Sequence, residues 1–270
     1  PVIVIDALLG TGFKGRLNSP RKELVEEANK LTALRVAVDI PTGMNGDDGS
    51  GELLFDADHT IARGYPKWAH LTSPRLKKIW LVRLEFDPAL IGGIGEEEKL
   101  HYLTPAEAKT LFPGRTLESH KGSCGKVGIL GGRREMLGAA LLAGRSALRS
   151  GSGLATLWLE DLAPALGLMP ELMLEEWSGF LNKELDVLAI GPGLGRDFPL
   201  NLEAALKRHA GTVLLDADAL HLLKEGQIGR EWIRGPLILT HNPGEMKMLL
   251  GHEGERRDDV LELARRYQAT

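Results

Sequence analysis

Short apolar runs rich in β-branched residues recur along the chain, and each ends in a cluster of small or polar residues. Such runs are typical of strands that are buried on both faces of a mostly parallel sheet. Six of them are predicted to be strands: Val2–Gly12, Arg35–Gly43, Lys126–Gly132, Asp186–Gly195, Thr212–Leu220 and Leu237–Glu245.

Stretches with a helical period lie between these runs, at Arg21–Leu31, Leu137–Arg149, Asn201–His209 and Gly244–Leu250. Strands that alternate with helices favour βαβ crossovers and therefore an α/β fold. Ligands of open parallel sheets bind in the crevice beyond the carboxyl ends of the strands. The polar clusters fall at those ends, so we expect the functional groups there.

A change of composition interrupts this alternation at residues 86–101, where glycines and an acidic run show no strand or helix period. A new helix is predicted after Thr104 and Pro105, so we place a linker near Gly92–Lys99. The order of strand motifs before the linker is not repeated after it. Two different α/β domains are therefore predicted, at residues 1–95 and 100–270.

Composition and charge exclude several classes of partner. The 270 residues are 43% hydrophobic and 26% charged, which is typical of a globular protein. No apolar run approaches the roughly 18 residues that a membrane span needs. The formal net charge of −4 is spread along the chain and leaves no basic stripe for nucleic acid. The single cysteine excludes an internal disulfide and fits a reducing cytoplasm.

The glycine-rich segment Gly10–Arg16 follows the first predicted strand. Its backbone N–H groups and the cations of Lys14 and Arg16 would suit a phosphate. The segment has neither the dinucleotide-binding nor the P-loop spacing of glycines. A tight turn with solvated basic residues is an equally open interpretation.

Two carboxylates and a hydroxyl are predicted at neighbouring strand ends, from Asp6, Asp39 and Thr42. Such groups can hold a cation through oxygen ligands or act as acid and base. Aspartate is also common where strands end, so a structural role stays open. Lys67 is either a proton carrier or a solvated lysine.

The second domain has small residues at Gly138–Ala140, which either admit a ligand to the start of a helix or let that helix pack tightly. The glycine-rich turn Gly191–Asp197 and the acidic segment Asp216–Leu220 supply the backbone donors and carboxylates that phosphoryl transfer needs. Histidine spacing disfavours a zinc enzyme. Residue types alone indicate an α/β enzyme that uses a nucleotide or a phosphorylated metabolite.

Five motifs of the second domain resemble, in order and spacing, the ADP-dependent NAD(P)H-hydrate dehydratase family, a branch of the ribokinase-like fold: KGSCGKVGILGG, GAALLAGRSALRSGSGLAT, DVLAIGPGLGRD, LLDADAL and LTHNPGEM. Three motifs of the first domain resemble the second half of NAD(P)H-hydrate epimerase: DALLGTGFKGRLNSP, VAVDIPTGMNGDDG and ADHTIARGYPKWAH. The resemblance implies two three-layer α/β domains, a Rossmann-like epimerase part followed by a ribokinase-like dehydratase part, both apparently truncated.

The resemblance also implies an enzyme of nicotinamide nucleotide repair. Water adds across the ring of NADH or NADPH to give an inactive hydrate, which is the implied substrate. The epimerase interconverts the R and S hydrates, and the dehydratase removes water from the S form with ADP or ATP and Mg²⁺. A transferred phosphoryl group would make the hydroxyl a better leaving group. A homo-oligomer in the cytoplasm is expected.

Individual residues take roles from the same resemblance. Asp6 and Thr42 match potassium ligands, Asp39 matches a substrate-binding and catalytic carboxylate, and Lys67 is the candidate partner for proton transfer. Ala139 and Gly193 match contacts to the hydrated cofactor. The implied loop for the substrate phosphate comprises Gly10, Thr11, Gly12, Phe13, Lys14, Gly15 and Arg16.

The sequence departs from the dehydratase family at the T-P-H-P-G-E motif. Asn242 stands where the family has a substrate-contacting histidine, and His241 stands where it has proline. An amide forms hydrogen bonds but carries no proton at neutral pH. Substrate contact by Asn242 is therefore expected, and acid–base catalysis by it is not.

The chain begins inside an apolar run and ends in a helical pattern without the usual stop residue. The resemblance places the front half of the epimerase, and the last third of the dehydratase with its nucleotide loop and catalytic aspartate, outside these 270 residues. We therefore expect neither activity from this chain alone and both from the full-length native protein.

Two other functions remain open at this point. A ribokinase-like kinase for a small alcohol, such as a vitamin precursor, would release a phosphorylated product, although the epimerase-like first domain argues against it. A non-catalytic module would bind the hydrate without turnover, and Asn242 keeps that alternative open.

Overall fold

The protein divides into two compact units, Pro1–Lys109 and Thr110–Thr270. The structure is a computed structural model and describes residues 2–87, 89, 103–112, 114–254 and 256–270. The predicted linker near Gly92–Lys99, and with it the boundary between residues 95 and 100, lies outside the described residues. The short helix Pro105–Leu111 spans the division between the two units.

The first unit contains a four-stranded sheet in the order β1-β2-β3-β4. All three strand pairs are parallel, so the carboxyl ends of the strands meet at one edge. The strands are β1 (Ile3–Asp6), β2 (Leu34–Val38), β3 (His59–Arg63) and β4 (Lys78–Val82), and the helices are α1 (Arg21–Lys30) and α2 (Trp68–Thr72).

Helix α1 covers one face of this sheet. It has Glu23 in its first turn and Lys30 in its last, which suits the helix dipole. Its buried Val25 packs against Ala37 of β2. On the opposite face, Ile5 of β1 and Trp80 of β4 are exposed.

The second unit contains a six-stranded parallel sheet in the order β10-β9-β8-β5-β6-β7. Its strands are β5 (Lys126–Leu130), β6 (Leu154–Leu159), β7 (Met173–Glu176), β8 (Val187–Ile190), β9 (Thr212–Asp216) and β10 (Leu237–Thr240). With Pro105–Leu111 counted as α3, the helices of the unit are α4 (Leu137–Arg149), α5 (Glu203–Arg208), α6 (Asp218–Lys224), α7 (Pro243–Leu250) and α8 (Arg256–Tyr267).

Helices cover both faces of the second sheet. Leu141 of α4 packs with Ile129 and Leu157 on one face. On the other face, Ile190 lies in a cluster with Leu249 of α7 and other helical residues. From β5 the chain adds β6 and β7 on one side of the sheet. It then crosses back and adds β8, β9 and β10 on the other side, so the strand order reverses between β5 and β8. Crevices at such a reversal are where open α/β sheets bind ligands.

The parallel α/β architecture predicted for both domains is confirmed. Each of the six predicted strands is present and is shorter than its motif, because the rest of the motif forms the turn or the start of the helix that follows. The predicted helices are also present, within a few residues of the expected limits. Strands β3, β4, β6 and β7 were outside the prediction. No helix in the described part of the chain is long and apolar enough to cross a membrane.

Candidate functional site

Asp39 follows strand β2 in an unusual backbone conformation. Its φ angle is 71°, in the left-handed region that non-glycine residues seldom adopt and that aspartate tolerates better than most. Its N–H donates to the Ile61 carbonyl at 2.8 Å, which anchors it to β3. The residue is buried. The fold therefore holds this carboxylate in place at the carboxyl edge of the sheet.

Lys67 reaches Asp39 from the segment that follows β3. Its Nζ donates to Oδ1 of Asp39 at 2.5 Å and to the Arg63 carbonyl at 3.0 Å. Gly10 lies on the other side of the carboxylate, where a Cβ would stand 3.7 Å from Oδ2 of Asp39. The structure thus brings together the predicted carboxylate, the predicted lysine and the start of the predicted phosphate loop.

His70 joins this cluster, although the sequence analysis did not select it. Its Nε2 lies 2.7 Å from the Asp39 carbonyl, and its Nδ1 accepts from the Lys67 N–H at 2.9 Å. Burial lowers the pKa of the imidazole, although the hydrogen bond to Asp39 opposes the shift. The neutral ring with its proton on Nε2 satisfies both contacts. The K-x-x-H spacing, which places His70 on the first turn of α2, was the only available signal.

Asp6 and Thr42, the predicted potassium ligands, are both buried and contact each other. Oδ1 of Asp6 accepts from the Thr42 hydroxyl at 2.7 Å, and Oδ2 accepts from the Thr42 N–H at 2.6 Å. The described residues place no basic side chain in an ion pair with Asp6. A buried carboxylate with spare acceptor capacity next to a hydroxyl oxygen fits an oxygen-liganded cation.

Thr42→Val is expected to destabilise the first unit by about 1–3 kcal/mol, because it removes a hydrogen bond from a buried carboxylate. The Leu9 N–H also loses its acceptor, the Thr42 hydroxyl at 3.2 Å. Hydrogen exchange of peptides from β1 and β2 measures the change within this unit. Thr72→Val, which removes a hydroxyl at an exposed position of α2, is the control and should change stability by no more than about 0.5 kcal/mol. Equal effects of the two substitutions would contradict the structural role of Thr42.

The segment Gly10–Arg16 contributes to an open cleft of about 400 Å³. Lys14 is paired with Asp47 at 2.8 Å, and that hydrogen bond raises the pKa of the lysine. Arg16 is paired with Glu52 at 3.0 Å. Both pairs are exposed, and exposed pairs contribute at most about 1 kcal/mol. A phosphate can therefore compete with these carboxylates for the two cations.

In the second unit, the turns after β5 and β8 are joined at the point where the strand order reverses. The Gly132 N–H donates to the Pro192 carbonyl at 2.9 Å, and the Arg133 N–H donates to the Gly193 carbonyl at 2.7 Å. Gly193 is left-handed, with a φ of 64°, and a Cβ there would lie 2.5 Å from the Met136 carbonyl oxygen. Only glycine permits this approach to the start of α4.

Ala139 lies on the first turn of α4 and is exposed, whereas Gly193 is buried against the residue that precedes that helix. The two predicted contacts to the hydrated cofactor therefore border the same crevice. Arg133 forms an ion pair with Asp197, which adds a side-chain connection between the two turns. The small residues at Gly138 and Ala139 leave the helix surface accessible.

The glycine-rich turn does not offer all of its backbone donors. The Gly195 N–H donates to Oδ2 of Asp218 at 2.8 Å, and the Leu194 N–H donates to the Gly191 carbonyl at 3.0 Å. The carboxylate of Asp218 thus holds the turn in place. The expectation of open donors is wrong for these two N–H groups.

Asn242 is the N-cap of α7. Its Oδ1 accepts from the Glu245 N–H at 2.9 Å, and its own N–H donates to Oε2 of Glu245 at 2.8 Å, which completes a capping box. It follows β10, two strands away from β8, so roughly 10 Å separates it from the crevice by strand spacing. The fold thus places Gly193 and Ala139 at the same crevice, whereas Asn242 lies to one side of that crevice.

The described residues contain no group of three or more histidine, cysteine, aspartate or glutamate side chains that could hold a metal ion. A cation at Asp6 and Thr42 would take its other ligands from backbone, water or substrate oxygens.

The fold and the crevice together define a doubly wound α/β protein preceded by a second parallel α/β unit. The family described as NAD(P)H-hydrate dehydratase matches residues 127–270, more than half of the chain. The chain belongs to this family. Residues 1–69 match the family described as YjeF-related protein N-terminus.

Curated relatives match nearly the whole chain. The bifunctional NAD(P)H-hydrate repair enzyme Nnr of Moorella thermoacetica is 33% identical and covers 98% of this chain, which spans 54% of that protein. The enzyme of the same name from Escherichia coli K12 is also 33% identical over 98% of this chain, which spans 52% of it. The chain thus spans about half the length of these relatives, and they support a fusion of epimerase and dehydratase parts.

Solved structures resemble part of the chain. ADP/ATP-dependent NAD(P)H-hydrate dehydratase from Bacillus subtilis, co-crystallised with ATP and Mg²⁺, has a TM-score of 0.55 and 30% identity, covering 64% of this chain and 65% of that one. A ribokinase-like superfamily protein from Enterococcus faecalis has a TM-score of 0.54 at 22% identity, covering 64% of this chain and 67% of that one. The second likeness concerns the fold alone and agrees with the predicted ribokinase-like class.

Proposed function

We propose that this protein repairs hydrated nicotinamide nucleotides. In the full-length native protein, the first unit contributes to epimerisation of the R and S hydrates of NADH and NADPH, and the second unit contributes to dehydration of the S form with ADP or ATP and Mg²⁺. The observation that carries the proposal is that one chain matches both families. Each match falls on a unit whose parallel sheet has polar or glycine-rich turns at its carboxyl edge.

The Asp39–Lys67 pair suits epimerisation. Hydration of the ring's enamine double bond places the hydroxyl on the carbon beside the ring nitrogen. Inverting that carbon requires the C–O bond to break and re-form on the other face, with the nitrogen lone pair supporting the cationic intermediate. A proton must reach the leaving hydroxyl, and one must leave the returning water. A carboxylate and an ammonium in direct contact can deliver and recover that proton.

The Gly10–Arg16 segment would hold the phosphates of the substrate. It begins against Asp39, so a nucleotide held there by its phosphates places its nicotinamide end within reach of the carboxylate. Lys14 and Arg16 would exchange their present carboxylate partners for phosphate oxygens. Binding would therefore weaken as ionic strength rises.

Potassium would occupy the site at Asp6 and Thr42. The cation would balance the buried carboxylate and fix the turn that carries Thr42, three residues after Asp39. The chemistry it supplies is electrostatic, through its positive charge beside the substrate site.

Replacing potassium by choline at constant ionic strength is therefore expected to lower epimerisation by the native protein about tenfold or more, and S-hydrate dehydration much less. Thr42→Val should weaken the activation by potassium, seen as a higher concentration for half-maximal rate. An epimerisation rate that is the same in both salts would contradict the potassium site.

In the second unit, Gly193 and Ala139 would form the surface that receives the hydrated ring. Asn242 lies roughly 10 Å to the side of that surface by strand spacing, so its NH₂ group would donate to a part of the bound dinucleotide other than the ring, while its Oδ1 caps α7. The nucleotide supplies the phosphoryl group that converts the hydroxyl into a leaving group. Loss of phosphate and a ring proton then restores the dihydronicotinamide.

The test is incubation of the native protein with S-NADH hydrate and ADP or ATP. Repair regenerates the dihydronicotinamide absorbance and releases inorganic phosphate in equal amounts. A stable phosphorylated hydrate without regenerated NADH would favour a kinase. Binding of the hydrate without turnover would favour the non-catalytic module that Asn242 leaves open. The cytoplasmic location and a homo-oligomeric state remain predictions.

A further inference from the structure

His70 contacts the backbone of both candidate catalytic residues of the first unit. Its Nε2 donates to the Asp39 carbonyl at 2.7 Å, and its Nδ1 accepts from the Lys67 N–H at 2.9 Å. The side chain is only 6% exposed. A single imidazole thus joins two residues that are 28 positions apart in the chain.

Each of the two contacts restrains a segment that would otherwise have freedom to move. Asp39 has a φ of 71°, and a return to the ordinary negative region would turn its carbonyl and its carboxylate away. Lys67 directly precedes the five-residue helix α2, where the first N–H groups have no partner within the helix. The imidazole satisfies that N–H and holds the Asp39 carbonyl inward.

We propose that His70 is a positioning residue for epimerisation, which holds the Asp39 carboxylate and the Lys67 ammonium in register by bonding the backbone of each. The inference rests on the proposed function only in naming the reaction that depends on this register. Both ring nitrogens are engaged and the ring is buried, so His70 does not exchange protons with a substrate. It acts through its two neighbours.

The consequence for the reaction is geometric. Proton transfer requires donor and acceptor within hydrogen-bond reach, and a displacement of about 1 Å can lower a rate about 100-fold. The Asp39–Lys67 contact is a side-chain pair that persists if the backbone shifts slightly. The position of the Asp39 carboxylate beside Gly10, however, depends on the backbone that His70 holds.

Three substitutions separate the two contacts. His70→Leu removes both. His70→Asn keeps an acceptor near the position of Nδ1 but is too short to reach the Asp39 carbonyl. His70→Gln keeps a donor at the end of the side chain, and its oxygen can accept from the Lys67 N–H, as glutamine does at the third position of a capping box.

Interconversion of R- and S-NADH hydrate by the native protein is the reaction to measure. We expect His70→Leu to lower kcat about 10–100-fold with KM changed less than about threefold, since the phosphate loop is untouched. His70→Gln should restore most of kcat, and His70→Asn should restore less. Dehydration of the S hydrate by the same variants should remain at the wild-type rate, and hydrogen exchange of peptides from β2 and β3 should stay protected, which together show that both units are folded. An unchanged kcat for His70→Leu, or a loss that His70→Gln does not relieve, would overturn the proposal.

A second measurement does not depend on the reaction. In the 270-residue chain labelled with ¹⁵N-histidine, long-range ¹H–¹⁵N spectra should show His70 as the neutral tautomer protonated at Nε2 between pH 6 and 8. A ring protonated at Nδ1, or one that titrates like an exposed histidine, would overturn the inference. Wild-type protein that shows this tautomer but no epimerisation would instead refute the proposed function.

Discussion

Asp39→Asn is expected to lower kcat for interconversion of the R and S hydrates by about 10²–10⁴-fold, the range that general acid–base groups contribute. The amide cannot take up the proton that the carboxylate exchanges with Lys67 and the substrate. Asparagine tolerates the left-handed region as well as aspartate does, so the backbone at a φ of 71° should persist. The substitution therefore changes the charge and leaves the geometry.

Epimer-resolved kinetics on the native protein measure this effect, and S-hydrate dehydration by the same variant is the internal reference. Glu27→Gln is the matched control, because it removes an exposed carboxylate whose ion-pair partner among the described residues is Lys30 of α1. That variant should epimerise at the wild-type rate. Asp39→Asn with more than a tenth of the wild-type kcat would exclude Asp39 as the catalytic carboxylate.

Gly193→Ala is expected to destabilise the second unit by roughly 2–5 kcal/mol. Left-handed backbone alone costs an alanine about 1–2 kcal/mol, and crowding a packed position adds about 1–3 kcal/mol. The added Cβ would lie 2.5 Å from the Met136 carbonyl oxygen and 2.8 Å from the Met136 Cβ, so the turn or the start of α4 must shift. Ala139 shifts with that helix, so dehydration should slow as well.

Gly226→Ala is the control for the cost of placing alanine in left-handed backbone without crowding. Gly226 is also left-handed, with a φ of 77°, but nothing lies within 4 Å of the position that its Cβ would take. Hydrogen exchange of peptides from β5 and β8 measures both variants within the second unit. Loss of stability should be at least twice as large for Gly193→Ala. Equal losses would mean that the close approach of the two turns contributes nothing.

The sequence was most informative where local physics decides the structure. Apolar β-branched runs such as Val187–Ile190 form strands because a parallel sheet buries both of their faces, and the glycines that follow must form turns. Strand β4, Lys78–Val82, has four apolar residues in five and was not predicted, although the structure leaves all five exposed. Strand β6 has a clear apolar run, Leu154–Leu159, that was read only as the continuation of the preceding motif.

The site was harder to predict because it depends on contacts between distant segments. Residue patterns singled out Asp39 and Lys67 separately, and only the family resemblance made Lys67 a candidate proton-transfer partner. Their contact arises when β2 and β3 pair. His70 ends one of the quoted motifs of the first domain, but no role follows from that motif, and its importance comes from the two backbone groups it bonds. The sequence indicates Asn242 only as a replacement for histidine, whereas the structure adds a capping role that Ser, Thr or Asp could also fill.

The most direct test of the proposed repair function is the conversion of pure R-NADH hydrate by the native protein in the presence of ADP and Mg²⁺. Only the sequence of epimerisation and dehydration restores the dihydronicotinamide absorbance from this epimer. We predict restoration well above the rate without protein, and its loss in Asp39→Asn, which still converts the S hydrate. If R hydrate is not converted by the wild-type protein, or is converted equally well by Asp39→Asn, the assignment of epimerisation to the first unit is wrong.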